Sequence, residues 1–85
     1  MIWQLIIDDE AKKQLERIPT KQADRITLIL KSLAVNPYGG DIQKMVGEKD
    51  VWRRRVGSYR IFYEVHTEKR IVYVFDIKRR TSKIY

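Results

Sequence analysis

The sequence predicts an α+β fold: an N-terminal strand and an αα-hairpin packed on one face of a small antiparallel-rich sheet, in the order β-α-α-β-β-β. Three observations carry this expectation. Apolar residues recur at helical spacing between Glu10 and Val35, with one break at Pro19-Thr20. Between Val51 and Ile77 the period changes to two, in runs rich in β-branched and aromatic residues. A short β-rich run, Met1 to Ile7, precedes the first helix. At 85 residues the chain is read as a single domain, residues 1–85, near the small end of what folds alone.

Each element has its own signal. Asp8 or Asp9 is placed to cap a helix over Glu10–Ile18, with Ala11, Leu15 and Ile18 on its buried face. Pro19-Thr20 breaks that helix, and Thr20 is expected to cap a second one from Lys21 to about Val35. Ala23, Ile26, Ile29, Leu30 and Leu33 give the second helix its apolar stripe. Asn36-Pro37 ends it, because the residue before proline is biased away from α. Tyr38 to Asp50, with Gly39-Gly40 and Gly47, reads as a solvent-facing loop that crosses to the sheet. Strands follow at Val51–Val56, Tyr59–His66 and Ile71–Ile77, turned by Gly57-Ser58 and by Thr67 to Arg70. KRRTSKIY closes the sequence as a basic tail.

Composition narrows the function. Eighteen Lys plus Arg against 11 Asp plus Glu give a net charge of +7 and a pI near 9.9, which favours an anionic partner, nucleic acid first. With no cysteine there is no disulfide or thiol chemistry, and a single histidine rules out a paired-histidine ribonuclease site. The same scarcity argues against a structural zinc site, and Gly39-Gly40 lacks the rest of a phosphate-cradling loop. No apolar run approaches the roughly 20 residues of a membrane span, and the N-terminus does not read as a signal peptide. The expected location is cytoplasmic.

Strict alternation assigns the arginines of VWRRRVGSYRIFYEV to faces. Tyr59, Ile61, Tyr63 and Val65 suit the helix side, together with Trp52 and Val56. Arg53, Arg55 and Arg60 then point outward, with Arg79 joining them as the last strand ends. Arg54 falls on the core side, where it must snorkel to an edge or find an acid. Beside the tail residues Lys78, Arg79, Arg80 and Lys83, this face makes a phosphate-binding surface. Two other readings stand beside that one: solvated charge that blocks edge pairing, and a seat for an acidic protein. His66 is read as solvated and structural, and Glu64 as the partner of a neighbouring arginine.

The segment VWRRRVGSYRIFYEV, followed by a strand and KRRTSKIY, resembles the second half of the RelE family within the RelE/ParE toxin superfamily. With the helical hairpin and the loop rich in Gly and Lys, the similarity covers nearly the whole chain. It implies a type II toxin that cuts mRNA in the ribosomal A site, without metal or cofactor. It also implies a cognate antitoxin, the ribosome and mRNA as partners, operator DNA only through the antitoxin complex, and no membrane. By position the family's two strand lysines fall on Arg53 and Arg55, the arginine of its turn on Arg60, its C-terminal arginine on Arg79 and its terminal tyrosine on Tyr85. The implied catalytic set is Arg55, Arg60, Arg79 and Tyr85; the implied RNA-binding set is Arg53, Arg54, Lys78, Arg80 and Lys83. Arginine in place of both lysines keeps the charge but supplies a far poorer proton-transfer group. The same signature is shared by ParE-like gyrase poisons and by inactive antitoxin-binding relatives, which define two rival functions.

Overall fold

The structure, a computed structural model, describes residues 2–79. Its elements are β1 (Gln4–Ile7), α1 (Asp9–Glu16), α2 (Thr20–Val35), β2 (Ile42–Lys44), β3 (Val51–Val56), β4 (Tyr59–His66) and β5 (Ile71–Arg79). The strands form one sheet in the order β1-β5-β4-β3-β2. β1 runs parallel to β5, and every other pair is antiparallel. The expected layer arrangement is present, with one short edge strand added.

Local chemistry sets the helix ends. The Asp8 carboxylate accepts the backbone N–H of Glu10 at 3.1 Å, which caps α1, and Asp9 and Glu10 in the first turn suit the helix dipole. α2 begins differently from the expectation. Thr20 is already its first helical residue, so Pro19 stands at the cap with φ −53° and ψ 143° and no side chain bonding to the turn. The Pro19 carbonyl accepts from Ala23 N–H at 2.9 Å, which starts the helical ladder. At the other end Asn36 is extended, as the ring of Pro37 requires.

The core lies between the helices and one face of the sheet. Ala11 from α1 and Ile26, Leu30 and Leu33 from α2 meet Val56, Tyr59, Ile61, Tyr63, Val65, Val72, Val74 and Ile77. α1 lies against β5, while α2 reaches β1 and β3 and so crosses the middle of the sheet. The opposite face is not covered by any described element. Among the described residues no helix is long and apolar enough to cross a membrane.

Two departures position the site. The segment expected to be a loop contains β2, whose Ile42, Gln43 and Lys44 pair with Arg54, Arg53 and Trp52. Three residues are too few to show a period, so only the long partner β3 reveals the strand. Second, β5 continues to Arg79 through a bulge: Tyr63 faces Val74 but Phe62 faces Asp76, which leaves Phe75 as the extra residue. After the bulge the alternation is reversed relative to a regular strand. Ile77 therefore turns inward and is 3% exposed.

Candidate phosphate-binding face

The uncovered face of the sheet carries the charge. Direct pairing across the ladder puts Arg53 opposite Phe62, Arg55 opposite Arg60, and Arg60 opposite Lys78. All of these alternate with core residues, so Arg53, Arg55, Arg60 and Lys78 share the outer face. Two like charges directly opposite, as at Arg55 and Arg60, repel unless other groups intervene.

β2 supplies those groups. Asp41, just before it, accepts the Arg55 Nε–H through Oδ2 at 3.0 Å, and its carbonyl takes the Arg55 backbone N–H, also at 3.0 Å. The Arg53 guanidinium donates to Gln43 Oε1. No described residue holds Arg60 in an ion pair. Together Asp41, Gln43, Arg53, Arg55 and Arg60 line a cleft of about 140 Å³, space for a phosphate group rather than a whole nucleotide. Sequence reading did not find Asp41 and Gln43, because their relevance depends on β2.

The remaining sequence-predicted residues divide. Arg54 does point to the core side, and it snorkels: its Nη1 donates to the Gly39 carbonyl at 3.4 Å and its Nε to the Arg55 carbonyl at 3.3 Å. It is held by backbone at the sheet edge and stands apart from the outer arginines. Lys78 reaches Asp76 at 3.4 Å and lies 5.9 Å from the centre of the Phe62 ring. Arg79 was expected on the outer face, but it pairs with Tyr59 and so belongs to the helix side. The bulge at Phe75 is the cause: with regular alternation Arg79, not Lys78, would face outward. Arg80, Lys83 and Tyr85 lie outside the described residues.

Glu64 was expected to pair with an arginine; its partner is instead His66, at 2.8 Å. Both lie on the outer face of β4, but His66 is six positions from Arg60, roughly 20 Å along the strand. They cannot act on one phosphate. Tyr63 is buried on the other face, where burial pushes its hydroxyl up to about 12. Among the described residues no three or more His, Cys, Asp or Glu side chains gather to hold a metal ion.

This geometry has relatives. A family model for the ParE toxin of the parDE type II toxin–antitoxin system matches residues 5–84. The chain belongs to the ParE toxin family. That places it in the RelE/ParE toxin–antitoxin superfamily, in line with the resemblance in the sequence. A Methanocaldococcus jannaschii protein named RelE1 is 28% identical over 83 residues, which span 94% of this chain and 92% of that protein. The crystal structure of the archaeal RelE–RelB complex from Pyrococcus horikoshii OT3 contains a chain with a TM-score of 0.85 and 24% identity, covering 98% of this chain and 100% of that one. The isolated E. coli RelE toxin gives 0.83 and 20%, over 95% and 87%. At such identities the structures establish the shared fold of this family member.

Proposed function

We propose that this protein is the toxin of a type II toxin–antitoxin pair and acts as a ribosome-dependent endoribonuclease that cuts mRNA in the A site. The observation that supports this reading is the outward cluster of Arg53, Arg55 and Arg60 around a phosphate-sized cleft. Cleavage of RNA through its 2′-hydroxyl forms a pentacovalent phosphorane and breaks the bond to the 5′-oxygen. Arg60, which no described acid neutralises, is placed to stabilise the charge that develops on the phosphorane oxygens. Arg53 and Arg55 fix the phosphate from the neighbouring strand, and Lys78 extends the basic face beyond Arg60. By the family resemblance, Tyr85 stacks on a base or helps move the proton.

Guanidinium groups are poor general bases, because their pKa lies above about 12. This argues for a reaction that borrows alignment or a proton acceptor from the ribosome, where substrate positioning alone can supply much of the rate. Such a toxin works in the cytoplasm and is held inactive by a cognate antitoxin, as the RelE–RelB complexes of similar fold suggest. Operator DNA would be met only through that complex.

The test maps 5′ ends on an mRNA held in programmed ribosomes with an empty A site, with ribosome-free RNA alongside. Wild type should cut only with ribosomes, and Arg60→Ala and Tyr85→Ala should cut at least tenfold less. The family model, named for ParE, favours a second reading in which the target is DNA gyrase. Intact mRNA together with blocked supercoiling, unaffected by Arg60→Ala, would establish that reading and remove the first.

A further inference from the structure

The tip of the β3–β4 hairpin has a second face, and it also offers a cationic cleft. Gly57 has φ +57° and Ser58 has no positive φ, the type II′ pattern that glycine at the first turn position permits. On the helix side of this turn a cleft of about 130 Å³ opens between α2 and the hairpin. Gln22 and Arg25, one helical turn apart, form one wall, and Gly57 and Ser58 form the other. A side chain built at Gly57 would start 3.5 Å from Arg25 Nη1, so the guanidinium lies directly over the turn.

Three features separate this cleft from a solvated patch. Among the described residues no carboxylate lines it and Arg25 has no ion-pair partner, whereas Asp41 already occupies Arg55 in the outer cleft. Ile26, Val56 and Tyr59 complete its lining, and their apolar atoms strengthen a charge interaction beside them. The backbone N–H groups of Gly57 and Ser58 lie beyond the last ladder rung, Val56 with Tyr59, and can face an anion. Arg79, opposite Tyr59, brings another guanidinium to the same side of the sheet.

The two clefts are almost back to back. Arg55 and Arg60 occupy the rung next to Val56 and Tyr59, on the opposite face. A flexible chain with an anion at each repeat can pass round the hairpin tip and touch both. We propose that Gln22, Arg25 and Ser58 bind a second phosphodiester of the same single RNA strand, further along it than the one held by Arg53, Arg55 and Arg60. This rests on the RNA-cleaving reading above and extends its footprint to α2.

The experiment uses the full chain and a short single-stranded RNA with 2′-O-methyl groups, which binds but cannot be cut. Affinity is measured against NaCl concentration for wild type, Arg25→Ala, Arg25→Lys and Arg60→Ala, with melting curves for each. Arg25→Ala should bind about three- to tenfold more weakly and lose about 0.7 from the slope of log K against log salt, the share of one single-strand phosphate. Arg25→Lys should keep most of the slope. Inorganic phosphate should move the amide signals of Gly57 and Ser58 in wild type but not in Arg25→Ala. If Arg25→Ala matches wild type in affinity and slope while Arg60→Ala weakens, the second site is wrong and the nuclease reading survives. If wild type does not bind the RNA, the second site falls, and the nuclease reading is decided by the ribosome cleavage assay above. A turn that responds to an acidic peptide and not to RNA also overturns the proposal.

Discussion

Tyr63 shows how much one side chain can settle. It sits at the centre of the sheet, fully buried, and its hydroxyl donates to the Pro37 carbonyl at 2.6 Å. That bond ties the chain after α2 to the middle of β4 and satisfies a carbonyl that proline leaves outside any ladder. Tyr63→Phe keeps the ring and orphans the carbonyl, so it should cost about 1–3 kcal/mol in chemical denaturation. The pH dependence has a definite sign. Burial raises the folded-state pKa to about 12 from an ordinary value of 10, so the folded state holds its proton more tightly than the unfolded chain. Its contribution is complete below pH 10 and disappears as the pH rises toward 12. Tyr73, raised mainly by its bond to Asp8 at 2.6 Å, acts in the same direction. Wild type should therefore lose stability through this window, and Tyr63→Phe should lose less. Equal alkaline losses in the two proteins would show that Tyr63 does not control the transition. Arg54 makes a related point about close approach. Gly40, at φ +84°, lies where any side chain would strike the Arg54 guanidinium. Glycine at this position is what lets the inward arginine reach the edge.

At the scale of elements, β5 decides the layout of the basic face. Beyond Val74 it has outrun β1, and the side chain of Gln14 takes over the missing pairing. Its Oε1 accepts the Ile77 N–H at 2.7 Å, and its Nε2 donates to Asp76 at 2.8 Å. The extra residue, Phe75, packs near Phe62 with ring centres 6.4 Å apart. Because the bulge adds one residue, deleting Phe75 should leave Asp76, Ile77, Lys78 and Arg79 on their present faces. Deleting Tyr73 instead would flip every residue from Val74 onward. Circular-dichroism melting should show a cooperative but lower transition without Phe75, and no cooperative transition without Tyr73. Similar melting of the two deletions would mean that the register is held by something other than alternation. This strand also marks how far the sequence could be read. Period-two runs and the helical stripe revealed both helices, the long strands and the side on which Arg53, Arg55 and Arg60 lie. They could not reveal a bulge, since a single inserted residue has no local signature among aromatic neighbours. Nor could they reveal β2, Asp41 or Gln43, whose partners on β3 lie 8 to 14 residues away.

At the scale of the whole molecule, the same charges should act in opposite senses on stability and on binding. One face of the sheet is covered by helices and no described element covers the other, and the net charge of +7 is concentrated in a chain of only 85 residues. Self-repulsion of that surplus opposes the compact state, while the exposed pair Arg55–Asp41 and the partly exposed pair Lys78–Asp76 favour it. Exposed pairs contribute about 0–1 kcal/mol each, so a few of them cannot offset so large an excess. Screening removes both effects over a Debye length of about 10 Å at 0.1 M salt. Repulsion is the larger of the two, so adding about 0.1 M NaCl should raise the melting temperature. A gain near 1 kcal/mol corresponds to about 4–8 °C for a domain of this size. Over the same range RNA affinity should fall, since each phosphate contact releases a counterion. Thermal melting and RNA titration in one salt series test both signs at once. A melting temperature that drops with salt would mean that ion pairs across the outer face outweigh repulsion. The arginines would then be committed to one another's acids rather than free to hold phosphate.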